Sequence, residues 1–115
     1  MALSEIGLKR VEKAAKKFLE RRRPPIQLRN QVDLGYKIKG QSIELFEIRR
    51  NFLDPKKKIE MHVAKATFVK KRAIWKIYWV RRDGKWHRYG PNPTADSIEE
   101  FFDIVENDEY GCFWG

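Results

Sequence analysis

One cysteine and two histidines are all that this chain of 115 residues offers to disulfide or soft-metal chemistry. The lone thiol, Cys112, cannot staple the fold internally, so a disulfide scaffold is excluded and a reducing compartment is the simpler expectation. Long hydrophobic runs are also missing. Lys9, Arg10, Lys13, Lys16 and Lys17 interrupt every apolar stretch near the N-terminus, which argues against a secretory leader. No segment approaches the length needed to span a bilayer. A cytoplasmic location and no membrane partner are therefore expected. The glycines are scattered and form no GxxxxGK[ST] loop, so phosphate cradling of that kind is excluded. Repeats and low-complexity linkers are absent as well, and the length suits a single domain over residues 1–115. Finally, residues 91–115 contain no Lys or Arg but seven Asp and Glu.

That last absence matters because the whole chain has a formal charge of +9. The basic and acidic regions are separated along the sequence, with nine Lys and Arg against one Asp in residues 61–90. Either the acidic end folds back as an internal counter-charge, or the basic part faces a polyanion such as nucleic acid. Aromatic residues make up 13% of the chain. Large rings bury much apolar area, which helps a small domain offset its chain entropy.

Hydrophobic spacing predicts an opening helix. Ser4 is placed to cap it, with Leu3 and Leu8 as a hydrophobic staple. Leu8, Val11, Ala15, Phe18 and Leu19 form one apolar stripe, and Pro24-Pro25 ends the helix. A hairpin follows. A type II′ turn at Gly40-Gln41 sets Ile38 opposite Ile43, Tyr36 opposite Leu45 and Lys37 opposite Glu44, which sorts apolar and charged pairs onto separate faces. Residues 51–59, with Asp54-Pro55, read as a loop, and strands resume near Met61. A turn at Lys71-Arg72 sets Phe68, Ala66 and Ala64 opposite Trp75, Ile77 and Trp79. Small residues then face large rings on what is here named the Trp face, under the helices.

Asp83-Gly84 is a type I′ hairpin signal, which pairs Val80 with His87 and Trp79 with Arg88. Pro91 and Pro93 end the last strand. Asp96 with Glu99 resembles a capping box, and Ile98, Phe101, Phe102 and Val105 give a helical stripe. The aromatic tail from Tyr110 to Trp114 is expected to dock in the core or on a partner. The expected architecture is α+β: an N-terminal helix, an antiparallel meander of about five strands and a C-terminal helix, with both helices on one face of the sheet.

The residues also carry a family resemblance. Arg22-Arg23-Pro24-Pro25 followed by Asp33-Leu34-Gly35-Tyr36, the run Trp75 to Trp79, then Trp86-His87-Arg88-Tyr89 with Pro91, and the ending Phe113-Trp114-Gly115 together resemble the bacterial family known as domain of unknown function 3024. The resemblance covers nearly the whole chain. It implies a small stand-alone bacterial protein and transfers no activity and no functional residue.

Catalysis finds little support. His62 and His87 are expected on opposite faces of the sheet, His62 on the Trp face, so they cannot share a metal. No metal or cofactor is expected. Cys112 has no base or motif beside it and suits a small buried hydrophobe. Glu99, Glu100, Asp103 and Glu106 cluster on the last helix, but such a row is the ordinary solvated complement of an apolar stripe. A non-enzymatic binding module is the better reading. The sheet face away from the helices should present Lys65, Lys76, Tyr78, Arg82, Lys85, His87 and Tyr89, which combines stacking rings with phosphate-binding cations, as single-strand nucleic-acid binders do. The alternative is a module that binds another protein or itself, motivated by the segregated charge and the aromatic tail.

Overall fold

The computed structural model describes residues 3–50, 53–54 and 56–114. Helix α1 spans Glu5–Arg22. The Ser4 hydroxyl accepts a hydrogen bond from the Gly7 N–H at 3.0 Å, satisfying one donor that a helix start leaves unpaired. Val11, Ala14, Ala15 and Phe18 are buried, while Leu8 and Leu19 flank this stripe half-buried. Arg23 is already extended (φ −64°, ψ 137°), the geometry that a following proline favours. A short 3-10 turn, Ile26–Leu28, then leads into the sheet.

The six strands are β1 (Val32–Lys39), β2 (Ser42–Arg50), β3 (Lys58–Val69), β4 (Ile74–Val80), β5 (Trp86–Arg88) and β6 (Thr94–Ala95). Strands β1 to β5 lie in sequence order as an antiparallel meander, and β6 also pairs with β4. The first hairpin has the expected register, including Tyr36 opposite Leu45 and Ile38 opposite Ile43. Gly40 adopts φ 57° while Gln41 does not enter the positive region, as a type II′ turn demands. The β3–β4 register is also the expected one, although its loop takes in Lys70 to Ala73, with Ala73 at φ 51°.

Three features of the strands depart from expectation. Strand β3 begins at Lys58, three residues before Met61, because β2 keeps pairing with it down to Arg50 opposite Lys58. (Pro55 lies outside the described residues.) Between Leu45–Ala64 and Phe46–His62 the register shifts, leaving Val63 as an extra residue on β3. Such a bulge moves the residues before it to the opposite face. The β4–β5 hairpin differs most. Val80 pairs with Trp86, Trp79 with His87 and Tyr78 with Arg88. The loop is Arg82-Asp83-Gly84, closed by Arg81 N–H to Lys85 O at 3.3 Å and Gly84 N–H to Arg81 O at 2.9 Å. Gly84 alone there has positive φ, at 76°. This is a type I turn followed by a left-handed glycine bulge, the three-residue alternative to a type I′ turn.

Helix α2 spans Ile98–Asn107, and its four stripe residues, Ile98, Phe101, Phe102 and Val105, are all buried. Its cap sits one residue later than Asp96–Glu99: the Ser97 hydroxyl accepts from Glu100 N–H at 3.1 Å, and the Glu100 carboxylate accepts from Asp96 N–H at 2.9 Å. Both helices contribute to one core with Ile43, Leu45, Ala64, Ala66, Trp75 and Ile77, so they cover one sheet face together. The tail docks inward. Asp108, at φ 41°, accepts from Phe113 N–H and Trp114 N–H at 3.0 and 2.9 Å. Phe113 packs on Tyr89 at 4.7 Å between ring centroids, and the Trp114 indole donates to Val105 O at 2.8 Å.

Candidate nucleic-acid interface

The changed β4–β5 register decides what the open face carries. A one-residue slip exchanges every side chain on a strand between faces. Tyr89, expected beside Tyr78, instead donates its N–H to Ile77 O at 2.9 Å and is 1% exposed, inside the core. Desolvation raises its phenol above the ordinary pKa, with Cys112 adding to the effect. His87 lies opposite Trp79 and its Nε2 contacts the Asp83 carboxylate at 2.8 Å. The Lys85 backbone N–H, and then His87, hold that carboxyl below its usual range. Arg82 and Lys85 are exposed at the hairpin tip.

Lys65, Lys76 and Tyr78 stand where expected, and Trp86 and Arg88 take the places of His87 and Tyr89. The Lys65 ammonium lies 5.0 Å from the Tyr78 ring centroid and 5.4 Å from that of Trp86. The Arg88 guanidinium lies 5.8 Å from the Tyr78 ring. Displaced by the bulge, His62 joins this face and packs on Trp86 at 5.0 Å, contrary to its expected place on the Trp face. The two histidines still lie on opposite faces. Towards β1, Phe46 is nearly buried, with the Lys37 ammonium 5.1 Å from its ring. Its edge comes so close to Gly35 that a Cβ there would sit 2.8 Å from the ring.

These residues form a band of rings and cations across the sheet, broken towards β1 by Glu44, which lies opposite Lys37 and Lys65, and by Glu60, which bridges Lys37 at 2.8 Å. Among the open-face positions of β4 and β5 (Ile74, Lys76, Tyr78, Val80, Trp86 and Arg88) there is no carboxylate. The π quadrupole attracts the Lys65 and Arg88 cations to the ring faces, and the Tyr78 and Trp86 rings are half-exposed. In single-strand binders generally, bases stack on exposed rings and phosphates meet neighbouring cations. Sequence reading missed Trp86, Arg88, His62 and Phe46. Gly84 was the available signal, because a glycine in third position also suits the three-residue loop.

The acidic helix does not lie on this band. Glu99 receives Arg10 at 2.9 Å and Glu106 receives Arg21 at 3.0 Å, so the acidic end folds back against α1. The Arg10 hydrogen bond holds the Glu99 carboxyl below its ordinary range. Glu100 is taken up by the cap, and the four carboxylates are thus divided rather than gathered for acid–base work. Among the described residues no three His, Cys, Asp or Glu side chains cluster as metal ligands, and no helix is long and apolar enough to cross a membrane. Cys112 is half-buried against the core, where desolvation raises its thiol pKa.

The fold, then, is an α+β sheet with helices on one face and an open band of rings and cations on the other. The family described as Domain of unknown function (DUF3024) matches residues 3–115, and the chain belongs to it. No curated protein and no solved structure matches the chain.

Proposed function

We propose that this protein is a nucleic-acid-binding module whose open sheet face takes single strands. One observation carries the reading: Lys65 lies between the Tyr78 and Trp86 rings, with Arg88 against Tyr78, on the face that neither helix covers. Two adjacent rings give successive bases a platform, and the cations beside them give phosphates a counter-charge. The strand contributes no sequence-reading hydrogen bonds in this scheme, so binding should tolerate many sequences.

Fluorescence anisotropy of labelled single-stranded DNA and RNA, at low and moderate salt, tests it. Binding that weakens steeply with salt is expected, because each neutralised phosphate releases counterions. Trp86→Ala should weaken it by about 5- to 150-fold, the range of one lost base stack, whereas His87→Ala should leave it within about twofold. No binding at low salt, or equal losses from both variants in folded protein, would overturn the proposal.

A further inference from the structure

Strand β3 is twelve residues long, but β4 pairs only with Ala64 to Val69. Its first part, from Lys58 towards Met61, pairs with β2 on one side. Among the described residues it has no strand on the other. An unpaired edge offers a row of backbone donors and acceptors to another strand, and proteins usually blunt such edges. This one carries large apolar side chains in the open: Ile59 is 44% and Met61 51% exposed. Strand β1 also ends the sheet, but none of the exposed large hydrophobic residues is on it.

The sequence of this edge is complementary to itself. Side chains alternate as Lys58, Ile59, Glu60 and Met61. When two copies run antiparallel about a two-fold axis at Ile59, Ile59 faces its own counterpart. Lys58 of each copy faces Glu60 of the other, twice by symmetry. The register centred one residue later sets Glu60 against Glu60, which like charge disfavours. The acidic helix and the aromatic tail, the other candidates for self-docking, are already engaged within the chain.

We infer that the free edge of β3 is a self-association site, where a second copy of this chain adds its own Lys58–Glu60 segment antiparallel and extends the sheet across both molecules. The inference is independent of nucleic-acid binding, and its test contains no nucleic acid.

Sedimentation equilibrium at near-physiological ionic strength, over a series reaching about 1 mM, reads the monomer–dimer equilibrium. Wild type should dimerise. Lys58→Glu and Glu60→Lys should each raise the dissociation constant about tenfold, since two cross-strand pairs turn from attractive to repulsive. The double variant carrying both changes should restore it. Ile59→Lys should abolish it by opposing two like charges. Glu60 also bridges Lys37 in its own chain at 2.8 Å, so Lys58→Glu, which leaves that bridge in place, provides the same readout with an undisturbed fold. A wild type that stays monomeric throughout, or a double variant that fails to recover the dimer while its circular dichroism is native, would overturn the inference.

Discussion

Tyr89→Phe asks directly which face of the sheet residue 89 occupies. The Tyr89 hydroxyl is buried, at 1% residue exposure, and finds no hydrogen-bond partner. Burying such a group without a protein partner costs about 1–3 kcal/mol, and its removal opens a gap of only one oxygen. The ring keeps its place, including the 4.7 Å contact with Phe113. Phenylalanine should therefore stabilise the fold by about 1 kcal/mol or more. With unfolding entropies near 2 cal/mol/K per residue, that is a rise of about 4 °C in Tm for a domain of this size. Thermal unfolding followed by circular dichroism is sufficient. The variant carries a second signature at high pH. Tyr89 has a raised phenol pKa in the folded protein, chiefly from desolvation, so the unfolded chain ionises first. Wild-type stability should fall as pH rises past about 10 towards the raised value, and Tyr89→Phe should lack this part of the loss. Destabilisation by more than about 1 kcal/mol would mean that the hydroxyl has a partner, and the placement argued above would be wrong.

Other expectations follow from single contacts. Asp33 accepts a bidentate pair from Arg23 at 2.7 and 2.8 Å, and that bond above all depresses its pKa. Its stabilisation is present above about pH 4 and is lost as pH falls through the lowered value, so Asp33→Asn should cost about 1–2 kcal/mol at neutral pH and nothing near pH 2, measured by urea unfolding. Gly35→Ala forces a Cβ to 2.8 Å from the Phe46 ring; a loss of about 1–3 kcal/mol is expected from such overpacking, and an unchanged midpoint would show that Phe46 yields freely. If nucleic acid lies on the open face, Lys65→Ala should lower the slope of log affinity against log salt by about one. An unchanged slope would remove Lys65 from contact with phosphate.

Most of the fold was legible because independent signals agreed. At Gly40-Gln41 the turn chemistry, the apolar pairs and the Lys37–Glu44 pair all select one register, and the structure has it. The same holds for β3 and β4, where Ala64 and Ala66 leave room for Trp79 and Ile77. The α2 stripe needed only its spacing. The tail was legible as docked because exposed rings at a chain end are costly, but its anchor was not: Asp108 reaches two backbone N–H groups from a left-handed conformation that no side-chain pattern announces. Strand β6, two residues long, is too short for periodicity to register.

The open face shows why site reading is less secure than fold reading. Asp83-Gly84 suits a two-residue turn and equally the end of a three-residue one, because both need a glycine at positive φ. The flanking residues do not break the tie, since Trp86 with Arg88 and His87 with Tyr89 each put an aromatic ring and a nitrogen-bearing polar group on the face. The protein's preference is explained on the other side of the sheet. Tyr89 there closes over Ile77 and receives Phe113 from the tail, so burial of one large ring against the core selects the longer loop. That same packing sends Trp86 outward to Lys65 and His62. The composition of the candidate interface is thus fixed by a core contact on the opposite face.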